Sequence, residues 1–303
     1  MTDINPSLEL RIPTPSTHVY GVQSLTCADG SQRAKPDYVV RQRRTTGSLQ
    51  SRLHSIDEDL QNRVFLTFGG PNEEYRNRSH ILSEEAKATQ FFTSTIGLTD
   101  DFLRTQPEFW EKHGEFIESN RTGYGFWMWK PFIIKTMLDK LNDGDILIYA
   151  DAGCTINAEG MPRLLEYIKM FDNDQNGFGL ISFQLAEPEI GYTKRILLEY
   201  MDTPRSFMNS GQFIGGVQII KKNAHSKMVI NQWYDIASIH ELINDEILSE
   251  HEYPEFIEHR RDQSIYSLLV KKYGSIQLPD ETFFFPDWST GRNSPIWATR
   301  IRA

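Results

Sequence analysis

A chain of 303 residues with 39% hydrophobic content is long enough to bury the core of one large α/β domain or two small ones. Its formal charge of −9 comes from acids and bases mixed along the chain, without the clustered basic face that a phosphate backbone requires, which argues against nucleic acid as a partner. The two cysteines, Cys27 and Cys154, form neither a C-x-x-C nor a His/Cys cluster, and no apolar run approaches a membrane span, so disulfide scaffold, structural zinc and membrane anchor are set aside and a cytoplasmic protein is expected.

Residues 1–62 are rich in Pro, Ser, Thr and Arg and read as an N-terminal extension, partly ordered, with a short strand at Tyr38-Val39-Val40 and a weak helix from Leu49 to Leu60. Its Arg41–Arg44 run reads as a solvated face. The pattern changes at Val64-Phe65-Leu66-Thr67-Phe68, an apolar strand closed by Gly69-Gly70-Pro71, so a domain is expected over 63–303. Helices are predicted over Tyr75–Phe92 and Phe102–Ile117, the second with Phe109, Trp110 and Phe116 as packing residues. Lys130-Pro131 opens the clearest helix: Ile134, Met137, Leu138 and Leu141 recur at i, i+3, i+4 and i+7. Asn142-Asp143-Gly144-Asp145 stops it, and Ile146–Ala150 follows as a strand apolar on both faces, hence covered by helices on each side. Further on the spacing predicts a helix through Leu164–Phe171, strands at Gly179–Phe183 and Gln212–Ile220, a helix capped by Asn223, a last helix over Asp262–Lys272 and a closing strand at Ile276-Gln277-Leu278. Such alternation predicts an α/β fold with a mostly parallel central sheet flanked by helices.

In open α/β sheets ligands bind outside the carboxyl ends of the strands, so the residues that follow each strand are the informative ones. At Gly69-Gly70 missing side chains let a flat base or a phosphate approach the backbone, although a plain tight turn explains them equally. Neither G-x-G-x-x-G nor G-x-x-x-x-G-K-[ST] follows, which removes the usual dinucleotide and P-loop readings. Asp151, directly after a buried strand and flanked by Ala150, Ala152 and Gly153, has the geometry to hold Mg²⁺ or Mn²⁺ against a diphosphate; its alternative role is to cap the following loop. Lys130 stands at a helix start, where a cation opposes the helix dipole, so a lysine that merely faces water is the less comfortable reading.

Three blocks carry a family resemblance: Gly123-Tyr124-Gly125-Phe126-Trp127-Met128-Trp129-Lys130-Pro131, the run from Asp143 to Cys154, and His259-Arg260-Arg261-Asp262-Gln263-Ser264. From about Val64 onward the chain resembles nucleotide-sugar-dependent glycosyltransferases of the GT-A (nucleotide-diphospho-sugar transferase) fold, closest to a bacterial and viral group with a Y-x-D-A-G-C form of the D-x-D motif. The resemblance implies transfer of a sugar from a nucleoside diphosphate donor, UDP-linked, to a glycan or other hydroxyl acceptor. It implies donor contacts at Thr67, Phe68, Gly69, Lys130, Tyr149, Asp151, Ala152 and Gly153, and Mn²⁺ or Mg²⁺ on Asp151. For Lys130 it implies stabilisation of the departing diphosphate, and for Asp262 the part of general base; Asp262 is also a good N-cap for the helix it precedes. Trp129, Gln212, Gly215, Gly216 and His259 fall where such enzymes shape the sugar and acceptor pocket. Glu187-Pro188-Glu189 reads as a solvated acidic loop. Two departures stand out: no histidine follows His259, and the D-x-D pair is reduced to a lone Asp151, which leaves Arg292, Arg300 and Arg302 as alternative partners for a diphosphate. Two other functions share this architecture: a sugar nucleotidyltransferase, whose early G-x-G-T-R loop is missing here, and a non-catalytic protein that binds glycans or nucleotide sugars.

Overall fold

The computed structural model describes residues 61–247 and 251–301; the strand and helix expected before Gln61, with the Arg41–Arg44 run, Cys27 and Arg302, lie outside them. β1 (Arg63–Gly69) alternates its side chains between two cores, Val64, Leu66 and Phe68 toward one and Phe65 toward the other, as the pleat of a strand requires. Beside it lie β2 (Ser94–Thr99) and β3 (Ile146–Ala150), both parallel to β1. Every residue of β3 is buried, the condition for a central strand covered on both faces.

The sheet continues through β7 (Val217–Lys221), antiparallel to β3, to β5 (Leu180–Pro188), which also pairs with β6 (Gly211–Phe213) and with β8 (Ile276–Pro279). Five of these seven strands run the same way, with β6 and β7 opposed to them. A mostly parallel central sheet flanked by helices is therefore the architecture of the described residues. Where one strand was expected over Gln212–Ile220, the chain forms β6 and β7 with Ile214-Gly215-Gly216 between them, because glycines weaken a ladder and let another group come close. A two-stranded ribbon, β4 (Thr155–Ile156) with β9 (Ile296–Trp297), stands apart from the sheet.

Helices cover both faces. α1 (Glu73–Ala88) and α4 (Met161–Asn173) pack Leu82, Ala86, Leu164 and Phe171 against Phe65, Ile148 and Ile219. On the other face α2 (Pro107–Ser119), α3 (Trp129–Lys140), α5 (Ala224–Ala237) and α6 (Arg261–Tyr273) meet Leu66, Leu147 and Ile220. Asn223 caps α5 with a reciprocal bond to Ser226, as expected. The helix expected over Phe102–Ile117 is broken into Asp100–Arg104 and α2, since Pro107 lacks an N–H and suits a helix start rather than an interior. Among the described residues no helix is long and apolar enough to cross a membrane.

Trp233 of α5 is fully buried against Tyr266 of α6, their ring centroids 4.9 Å apart. Replacing it with alanine empties a large part of that seam, and Trp233→Ala is expected to cost about 3–5 kcal/mol. Urea denaturation reads this as a lower midpoint with an unchanged slope; a loss below about 1 kcal/mol contradicts the packing described.

Candidate functional site

Three charged side chains from separate elements converge at the carboxyl end of β3. Lys130, in the first turn of α3, places its Nζ 3.1 Å from Asp151 Oδ1 and 2.8 Å from Asp262 Oδ2. The lysine is only 3% exposed and Asp262 is equally enclosed, whereas the Asp151 side chain keeps 38% of its surface in solvent. Asp151 Oδ1 also accepts from the Tyr149 hydroxyl at 2.7 Å. Among the described residues nothing donates to its Oδ2, so one oxygen of this carboxylate faces outward. Asp262 Oδ2 has no aligned hydrogen-bond donor there despite its closeness to the ammonium, which makes that contact chiefly ionic.

The electrostatics follow from burial. Loss of water disfavours the Lys130 cation, but the Asp151 and Asp262 carboxylates more than reverse this, and its pKa is raised. Burial, helped by the Asp151 charge, pushes the Asp262 carboxyl up to about 6 against the opposing pull of Lys130. The Tyr149 phenol is likewise held well above its usual value by burial and the Asp151 charge. With both carboxylates ionised the trio carries a net negative charge, partly neutralised from inside the protein.

Unusual backbone delivers Lys130. Gly123, Tyr124, Gly125, Phe126 and Trp127 all have φ between 52° and 80°, a left-handed turn with Phe126 and Trp127 N–H bonded to Thr122 and Gly123 carbonyls. Three of the five are not glycine, at a cost of about 1–2 kcal/mol each. Packing holds the turn: a Cβ on Gly125 would lie 2.7 Å from the Ile117 side chain, and Trp129 Nε1 donates to Gly123 O at 3.0 Å. Arg261 also sits at positive φ, bonds Asp245 through both fork nitrogens and lies over the Trp127 ring. Strained backbone thus flanks the Lys130–Asp262 contact on both sides, a pattern that concentrates at functional sites. Asp262 is not the N-cap expected of it. The cap position is Arg260, Asp262 lies inside the first turn of α6, and its carboxyl is spent on Lys130 instead.

The break between β6 and β7 crosses directly over the trio. Gly216 O accepts from Asp151 N at 2.9 Å, and Gly215 O lies 3.4 Å from Lys130 Nζ. A Cβ on Gly216 would stand 2.8 Å from Asp151 Oδ2, and one on Gly215 3.3 Å from Asp262 Oδ2, so neither position has room for a side chain. Gly215 N–H donates to Gln263 Oε1, Gln263 Nε2 to Gln212 Oε1 and Gln212 Nε2 to Glu189 Oε1. Glu189, fully buried, ends the relay on Lys271 at 2.6 Å. Two expectations change here: Glu189 is a buried anchor rather than part of a solvated loop, and Gln212 is an internal link rather than a pocket wall. Their apolar neighbours hide a polar chain that has every reason to be satisfied internally.

Other expected residues divide similarly. Trp129 is 5% exposed and stacks on Phe68 with centroids 3.9 Å apart, so it belongs to the core and offers no face to a sugar. His259 is also enclosed: Nδ1 accepts from Lys194 N, Nε2 meets Leu242 O at 3.0 Å, and burial lowers its pKa to about 3. Thr67 is buried with its Oγ1 unpartnered among the described residues, and Gly69 packs against the Tyr75 carbonyl of α1. Ala152 and Gly153 continue the Asp151 loop, which is held by a residue the sequence did not single out. Arg78 of α1 donates from Nε to Ala152 O and from Nη2 to Cys154 O. Arg78 stands in the second turn of α1, a position that carries no sequence signal of this role. The loop's outer side is covered by Thr299 and Ile301, which both donate to Gly153 O.

Among the described residues no group of three or more His, Cys, Asp or Glu side chains is arranged to hold a metal ion. A cavity of about 510 Å³ lined by Asp143, Lys227 and Gln232 opens beyond the opposite end of β3, and Lys130, Asp151 and Asp262 take no part in it.

No protein-family model matches the chain, and no curated protein matches it. Solved structures do. A glycosyltransferase involved in the glycosylation of the major capsid of PBCV-1 is 12% identical, with 78% of this chain and 92% of that one covered at a TM-score of 0.45. Mouse xyloside xylosyltransferase 1 is 11% identical, with 79% and 97% covered at 0.42. The galactosyltransferase LgtC is 11% identical, with 77% and 86% covered at 0.38.

Removing one member of a buried ion pair strands the other. Lys130→Met is expected to cost about 3–5 kcal/mol in urea unfolding, and adding Asp262→Asn to it should restore a substantial part of the loss. Strictly additive losses in the double-mutant cycle contradict the coupling.

Proposed function

We propose that this chain is a GT-A-type glycosyltransferase that moves a sugar from a nucleoside diphosphate donor, UDP-linked, to a hydroxyl of a glycan or other acceptor. The observation that carries the reading is the Lys130 ammonium held between Asp151 and Asp262 at the carboxyl end of β3, where open α/β sheets take ligands. The outward oxygen of Asp151 meets the donor. In the reaction the acceptor oxygen bonds the anomeric carbon, the bond from that carbon to the diphosphate oxygen breaks, and the leaving group departs with the electron pair. Lys130 lies beside that developing charge in a water-poor setting, where a fixed cation is most effective. The acceptor proton passes to Asp262, whose pKa near 6 suits a base working at neutral pH.

A single free carboxylate oxygen fits a divalent ion that arrives on the donor phosphates rather than one caged by protein. Asp151 Oδ2 would hold such a Mn²⁺ or Mg²⁺, and when bound the ion supplies neutralisation of diphosphate charge. Cys154, a buried free thiol whose pKa burial raises, accords with a cytoplasmic setting.

Nucleoside diphosphate release from a panel of UDP-sugars tests the reading. Release from at least one donor is expected, and Asp151→Asn should lower it about 10²–10³-fold with the melting temperature preserved. Release from no donor, alongside nucleotide-sugar binding, favours a non-catalytic binding protein. The Asp262 carboxylate must be unprotonated to accept a proton, so the rate should fall as pH drops through about 6 and that limb should vanish in Asp262→Asn. A flat profile from pH 5 to 8 removes Asp262 as base.

A further inference from the structure

The same edge of the sheet carries a second cluster that the roles above leave unused. β8 runs with β5, so the chain leaves β8 at the carboxyl edge that also bears Asp151. Asp280 N–H donates to Gln184 O of β5 at 3.1 Å, and Asp280 Oδ1 accepts from the Thr282 N–H and hydroxyl. Phe283 and Phe285 follow, 40% and 70% exposed, their rings stacked 27° from parallel with centroids 6.4 Å apart. Trp288 meets Phe283 edge-on at 5.7 Å, and the Arg300 guanidinium lies 4.9 Å from the Phe283 ring. The cluster is tied to the Asp151 loop: Ile301 N donates to Gly153 O at 3.0 Å, and β9 pairs with β4 just after Cys154.

We infer that Phe283 and Phe285 form a stacking platform for a pyranose ring of the acceptor, an inference that rests on the transfer reading above. The C–H face of a pyranose is apolar and flat enough to cover an exposed aromatic ring, while its rim of hydroxyls needs polar partners. Both are present. Arg300 lies against the Phe283 ring, and Asp280 and Glu187 are close enough to Arg300 for their charges to act on one another: burial and Glu187 raise the Asp280 pKa, and Arg300 opposes them. An aliphatic partner would leave these charged groups unused. The sheet order also separates the two substrates. β1 lies on one side of β3, and β5 and β8 on the other. The segment after β1 and the segment after β8 thus reach the Asp151 edge from different strands of the sheet, which leaves separate places for a nucleotide and for an acceptor sugar.

Full-length protein, wild type and variants, applied to a glycan microarray tests the platform. Wild type should be retained by pyranose-containing glycans, Phe285→Ala and Phe283→Ala should lose most of that signal, and Phe285→Trp should keep it. With a retained glycan as acceptor, Phe285→Ala should raise the acceptor KM about tenfold, the worth of one aromatic contact, without a matching change in donor KM. Retention unaffected by Phe285→Ala, or retention of wild type by no glycan, overturns the platform. So does Phe285-dependent sedimentation with phosphatidylglycerol vesicles in place of glycan binding, which assigns the rings to a membrane surface. Failure of the transfer reading is seen separately, as absence of nucleoside diphosphate release by wild type.

Discussion

An ammonium enclosed to 3% exposure with carboxylates at 2.8 and 3.1 Å is an arrangement that solvent would otherwise dissolve. Taking Lys130 out of water is unfavourable, and the protein offsets that by burying Asp262 with it and leaving Asp151 half in solvent. The asymmetry matters. Asp262, wholly enclosed, is pushed toward neutrality, while Asp151 keeps an oxygen free for whatever enters the cleft. One buried cation is thereby shared by two carboxylates in unequal surroundings, one enclosed with it and one open to the cleft.

Holding that contact requires backbone that ordinary residues resist. The left-handed turn at Gly123–Trp127 and the positive φ of Arg261 are unfavourable locally and are maintained by packing on Ile117, by Trp129 and by the Arg261–Asp245 fork. Opposite them, the Gly215-Gly216 break is aligned by Gln263, Gln212 and Glu189 through a buried chain of hydrogen bonds. A half-satisfied chain of that kind is costly, so each link constrains the next. Lys130 is thus gripped from one side by strain and from the other by a polar relay.

Much of this architecture is legible in the sequence because burial imposes periodicity. Ile146–Ala150 announces a covered strand and Asn223 a helix start. What escapes is whatever depends on partners distant in the chain. Gln212 reads as a pocket residue and Glu189 as part of a solvated loop until β6 and α6 bring Gln263 and Lys271 beside them. Trp129 resembles a stacking residue until Phe68 is seen lying on it. Ser94–Thr99 lacks an apolar pattern because β2, at the edge of the sheet, is only partly covered. Asp262 is ambiguous in one dimension, since a helix start satisfies a carboxylate by its own N–H groups or leaves it free for a partner; only the position of Lys130 decides between them.

The arrangement of small residues completes the reasoning from sheet to site. Ala150, Ala152, Gly153, Gly215 and Gly216 surround Asp151, and at Gly216 even a methyl group would press on its free oxygen. Small side chains here do not loosen the loop, because Arg78 and the C-terminal segment bond its carbonyls from either side. They clear space instead. A rigid loop with nothing projecting from it but one carboxylate is a surface against which another molecule's polar groups can lie closely. The bulky aromatic residues Phe283 and Phe285 stand exposed in the segment that follows β8. The edge therefore carries two distinct surfaces, one cleared around a single carboxylate and one faced with aromatic rings.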